Sequence, residues 1–92
     1  GVAGNTSLTM SIFPNPSRSG PVLVHIEGLP QDRTSVLVLV LDASGRKVHQ
    51  DSVHVVKGTV DHRLDLTRAS RGVYVVEVLF SEGRLLGRLI LQ

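Results

Sequence analysis

The chain has 92 residues, a formal net charge of +2 and no cysteine. That length makes one domain, burying somewhat over roughly 60% of its unfolded surface. The missing cysteines exclude a disulfide framework and a thiolate zinc site. Aromatic residues are limited to Phe13, Tyr74 and Phe80, and every basic residue except Lys47 and Lys57 is an arginine scattered along the chain. Nucleic-acid binding needs a clustered basic stripe and stacking platforms, and neither is present.

Residues 1–7 are small and polar and read as a linker or cloning remnant, leaving 8–92 as the folded domain. The chain opens Gly-Val-Ala-Gly, with no initiator methionine, basic n-region or apolar h-region. It is therefore expected to belong to a longer protein whose export signal lies upstream. Nothing approaches the roughly 18 continuous apolar residues of a membrane-spanning helix.

From residue 8 onward, short apolar runs alternate with turn signals at the spacing of a β-sandwich. Strands are predicted at 8–13, 21–28, 35–42, 46–56, 59–66, 73–81 and 84–91, giving an all-β, Ig-like antiparallel sandwich of about seven strands. Pro14 and Pro16 cannot donate to a ladder, so they end the first strand and hold the chain extended as it leaves the sheet. Between them the Asn15 side chain is placed to set a local Asx-turn. Val22, Val24 and Ile26 alternate with Leu23, His25 and Glu27, giving the second strand one apolar face.

Val36 to Leu41 is a run of six aliphatics, which predicts a central strand covered on both faces. Ala43-Ser44-Gly45 turns the chain into a fourth strand whose parity breaks, Val48 being out of phase with Val53 and Val55. A bulge, or a split strand, would restore the register. Lys57-Gly58 closes the next turn. Further on, Tyr74, Val76, Val78 and Phe80 form a period-two stripe, and Gly72-Val73-Tyr74 reads as a tyrosine corner. Ser81-Glu82-Gly83 joins the last two strands as a hairpin. In the final strand Leu85, Gly87, Leu89 and Leu91 face one way and Leu86, Arg88, Ile90 and Gln92 the other.

No catalytic constellation emerges. There is no nucleophile elbow, no His-Glu-x-x-His, no phosphate loop and no cysteine nucleophile, and Asp42, Asp51, Asp61 and Asp65 sit singly at strand ends. Four histidines (His25, His49, His54 and His62) lack the i, i+2 or i, i+4 pairing of a metal site. A hairpin of 46–56 with 59–66 would set His54 opposite His62, with Asp61 adjacent. Otherwise these are exposed strand-face histidines, so no metal and no cofactor is assigned.

Four words stand in fixed order: Ile12-Phe13-Pro14-Asn15-Pro16; Asp42-Ala43-Ser44-Gly45-Arg46-Lys47-Val48; Asp65-Leu66-Thr67 running to Gly72-Val73-Tyr74; and the tail from Gly83 to Gln92. In order and spacing they resemble the C-terminal sorting domains, type A, of the type IX (Por) secretion system, across residues 10–92. Departures are mild: Phe13 for Tyr, Thr67 for Ser, Ala69 for Leu and Arg88 for Lys. The resemblance implies a non-catalytic C-terminal signal that directs an N-terminally attached cargo, such as a secreted enzyme, through the outer-membrane translocon. It implies passage through the periplasm to the cell surface or beyond, with translocon and sortase proteins as partners and possible removal by the sortase.

The residues carried over as sorting-motif positions are Pro14, Asn15, Pro16, Asp42, Gly45, Arg46, Gly72, Tyr74, Gly83, Arg88, Leu89 and Leu91. The tail Arg84–Gln92 is expected to be the element that is read, by edge-strand addition, with Arg88 supplying charge and Leu89 and Leu91 apolar anchors. The rival reading is an accessory β-sandwich, either a fibronectin-type spacer or a glycan-binding module of a secreted glycosidase.

Overall fold

Valine, leucine and isoleucine at alternate positions give each strand one side that must leave water, and two such faces stacked together make the core. The computed structural model describes residues 8–92; the linker expected over 1–7 lies outside the described residues. Seven strands form, β1 (Thr9–Phe13), β2 (Pro21–Glu27), β3 (Ser35–Leu41), β4 (Lys47–His54), β5 (Val60–Asp65), β6 (Gly72–Phe80) and β7 (Gly83–Leu91), with no helix among the described residues. They build a three-stranded sheet, β1-β2-β5, and a four-stranded sheet, β4-β3-β6-β7, all paired antiparallel. The all-β sandwich read from the sequence is the observed fold.

Val22, Val24 and Ile26 of β2, with Val60 and Leu64 of β5, supply one wall of the core. Val36, Val38 and Val40 of β3, Tyr74, Val76 and Val78 of β6, and Leu89 and Leu91 of β7 supply the other. The aliphatic run of β3 departs from expectation. Only its even-numbered side chains are buried, while Leu37, Leu39 and Leu41 lie half-buried on the outer face of the four-stranded sheet. The strand is central in its sheet, but the sandwich has only two layers, so nothing among the described residues covers that second face.

The parity break in β4 resolves as a bulge. Val40 pairs with His49 and Leu41 with Lys47, so Val48 is the extra residue and turns outward, 44% exposed. Lys57 and Gly58 form a two-residue turn at φ of 51° and 77°, closed by reciprocal Val56–Thr59 backbone bonds of 3.0 Å. This turn does not make a hairpin of β4 with β5. It carries the chain from one sheet to the other, so the expected pairing of His54 with His62 does not form. The β6–β7 hairpin turns at Ser81-Glu82, with Gly83 already paired to Phe80.

Candidate recognition surface

Because the seven strands all pair antiparallel, the connections segregate to two poles. Residues 14–20, the 42–46 turn, the 66–71 loop and the end of β7 share one pole. The start of β1, residues 28–34, the 55–59 turn and the Ser81-Glu82 hairpin share the other. Three of the four words therefore converge, with the last part of the tail, at the pole opposite to where β1 begins. Gly83 is the exception and sits at the far pole.

The first word grips the last. Asn15 Nδ2 donates to the carbonyl of Arg88 at 2.7 Å, and the amide of Ile90 donates to Asn15 Oδ1 at 3.1 Å. The ladder continues in backbone: the Ser17 amide donates to the Ile90 carbonyl at 2.8 Å and the Gln92 amide to the Ser17 carbonyl at 2.9 Å. The Asn15 carboxamide thus stands in for a peptide group along the outer edge of β7. The local Asx-turn expected of Asn15 is replaced by this long-range clamp, with Pro14 and Pro16 exposed on either side. Both prolines follow cis peptide bonds.

Ser17 anchors the same corner from beneath. It is 1% exposed, and its Oγ accepts from the Gly20 amide at 3.1 Å. Gly20 sits at φ 104° against the backbone of Thr67, which a Cβ would meet at 2.5 Å, so the corner closes only on glycine. Sequence reading passed over Ser17, because a serine beside prolines in a polar stretch looks like ordinary loop.

The second and third words face each other. Asp42 Oδ1 accepts from the Ser44 hydroxyl at 2.6 Å, the Ser44 amide at 2.9 Å and the Arg46 amide at 2.9 Å. The Ser44 hydroxyl, followed by the Arg46 amide, holds the Asp42 carboxyl below its ordinary range. Asp65 does the same for its own loop: the Thr67 hydroxyl and then the Thr67 amide depress its carboxyl. The Tyr74 hydroxyl donates to the carbonyl of Ser70, which completes the tyrosine corner read from sequence. Between the two words runs a groove of about 610 Å³, lined among others by Asp42, Arg46, Asp65, Arg68, Arg71 and Tyr74.

The tail residues divide by side. Leu89 is 0% and Leu91 5% exposed, both within the core. As apolar anchors for a partner they are out of reach in the folded domain, because strand parity turns them inward. Arg88 is exposed and has no acidic partner among the described residues. The expected free edge is also shorter than Arg84–Gln92, since Asn15 and Ser17 already occupy its distal half.

The histidines fall into two groups. His25 lies on the outer face of β2, its Nδ1 2.6 Å from Asp61 and its Nε2 3.1 Å from Glu27. Asp61, then Glu27, raise its pKa above the ordinary histidine value. His49 and His62 both reach Asp51, at 2.7 and 2.9 Å, where β4 and β5 come together. The sequence signal for this second group was His49-x-Asp51, two residues on one strand face. The bulge at Val48 obscured which face that was, and His62 was matched to the wrong histidine.

The sequence model for the secretion system C-terminal sorting domain, Por_Secre_tail, matches residues 11–92. The chain belongs to this family. No curated protein matches it. The sorting domain is a C-terminal signal of type IX secretion, from a non-catalytic family. It implies type IX machinery, a cargo on its N-terminal side, and export toward the cell surface or extracellular space. No helix among the described residues is long and apolar enough to cross a membrane.

Proposed function

We propose that the sorting domain crosses the periplasm folded and is read by the outer-membrane translocon at the pole where its motif words meet. The observation that carries this reading is the convergence itself: words that begin at residues 12, 42 and 65 share one end with the close of the tail, and the N-terminal strand starts at the other. A cargo attached before Leu8 leaves that pole open. The pole also carries an excess of positive charge, with Arg18, Arg46, Lys47, Arg68, Arg71 and Arg88 against Asp42 and Asp65. An acidic receptor surface would be drawn to it.

In this reading Pro14, Asn15, Pro16, Gly45, Gly72 and Tyr74 shape the pole, and Arg46, Arg71 and Arg88 are the charged contacts. Leu89 and Leu91 act from the core by holding β7 in place. Removal by a surface sortase would fall N-terminal to Thr9, because from there on the backbone is tied into the ladder with β2.

The test is a reporter with an inner-membrane export signal fused ahead of residues 1–92, in hosts with and without the translocon. The wild-type fusion is expected outside the first host and trapped in the periplasm of the second. Arg46→Glu with Arg71→Glu and Arg88→Glu should trap it in both, while Lys57→Glu at the far pole leaves export unchanged. Normal export of the triple variant would refute the pole as the reading surface; trapping of the wild type in a host that exports a known sorting domain would refute the sorting role.

A further inference from the structure

Along the flank where β4 of one sheet meets β5 of the other, the two sheets are joined by polar side chains. His49 and Asp51 point to the same side of β4, two residues apart, and His62 comes across from β5. Both imidazole Nε2 atoms converge on a single oxygen, Asp51 Oδ2, at 2.7 and 2.9 Å. The three potential ligand atoms all lie within 4.8 Å of one another, and the side chains are only 21% to 40% exposed. Neither the sorting reading nor any motif word uses these residues.

We propose that His49, Asp51 and His62 form a divalent transition-metal site of the zinc class that clips the two sheets together. Two imidazoles and one carboxylate are a donor set for Zn²⁺, Co²⁺, Ni²⁺ or Cu²⁺, and a poor one for Mg²⁺ or Ca²⁺, which want mostly oxygen. A tetrahedral ion with bonds near 2.0–2.1 Å holds its ligand atoms about 3.3 Å apart. The two nitrogen–oxygen spacings need to open by only about 0.5 Å, and the two imidazole nitrogens, already within 4.8 Å of each other, have to settle at the same separation. On binding, each neutral imidazole carries its proton on Nδ1 and offers the Nε2 lone pair, while Asp51 gives one oxygen. Water takes the remaining position on the exposed side.

The other histidine group supplies an internal control. His25 sends its two ring nitrogens to two different carboxylates, Asp61 and Glu27, so these cannot converge on one ion. At the β4–β5 flank, by contrast, the atoms point at one place and come from both sheets. An ion there would link strands that the sequence joins only through the Lys57–Gly58 turn.

The experiment is titration of the 92-residue chain with Zn²⁺ by calorimetry, with Co²⁺ absorption as the coordination probe. One saturable equivalent is expected, with an intense tetrahedral Co²⁺ band that Zn²⁺ bleaches. At metal about a hundredfold over Kd, Tm should rise by about 10 °C, and a chelator should reverse the shift. His49→Gln, Asp51→Asn and His62→Gln should each weaken binding more than about tenfold, and His25→Gln should leave it intact. In wild-type protein, imidazole ¹⁵N shifts at Nε2 of His49 and His62 should move on Zn²⁺ addition, a reading that does not depend on any variant folding. Absence of saturable binding, binding abolished by His25→Gln, or unmoved His49 and His62 resonances would each overturn the site.

Discussion

The two flanks of this sandwich are closed by opposite chemistry. Along one, β1 meets β7: Met10 and Ile12 lean over Gly87, where even a Cβ would come within 2.8 Å of their tips, and the Asn15 clamp seals the strand edge beyond. Along the other, β4 meets β5 through His49, Asp51 and His62. An apolar seam gains from expelling water and is insensitive to solution conditions near neutrality. A polar seam depends on protons and ions, contributes less on its own, and can be adjusted.

The largest break in this contrast should come from Leu89→Ala, which removes a fully buried side chain from β7. It is expected to cost about 3 kcal/mol in urea unfolding, whereas Val53→Ala on β4, 8% exposed, should cost about 1.5 kcal/mol. Equal losses would mean that β7 is packed no more tightly than β4. A middle-sized effect is expected for Asn15→Ala. Losing two bonds from an exposed side chain should cost about 1 kcal/mol and speed hydrogen exchange of the Ile90 amide selectively. Unchanged exchange there would show that the backbone bonds of Ser17 hold the edge alone.

The smallest effect lies on an outer face, away from both flanks. Asp61 and then Glu27 raise the His25 pKa, so its contribution is fully present below the unfolded value of about 6.5 and is lost as pH rises through the higher folded value. The stability difference between wild type and His25→Gln should therefore shrink as pH rises above about 6.5 and through the higher folded value. A difference that stays flat over that range would show that the carboxylates do not favour the charged imidazole.

The strands were legible because Val, Leu and Ile recur with period two over long enough runs to fix both element and face. The tyrosine corner was legible as a turn signal before a stripe, and Val48 as a break in parity that the structure resolves as a bulge. The covered status of β3 was not, because six aliphatics in a row look alike whether the second face meets another layer or water. The pairing of His62 was also out of reach: a two-residue turn at Lys57-Gly58 reads as a hairpin, and only the sheet assignment shows that it is a crossing.

The sequence by itself determined the composition of the core, the order of the turns and the resemblance to the family, since these rest on local periodicity and backbone preference. Tertiary structure decided what those words touch. Asn15 finds β7 across more than 70 residues, and His49, Asp51 and His62 meet from two sheets. Such contacts depend on how the sheets stack and which edges adjoin, and no local pattern encodes that.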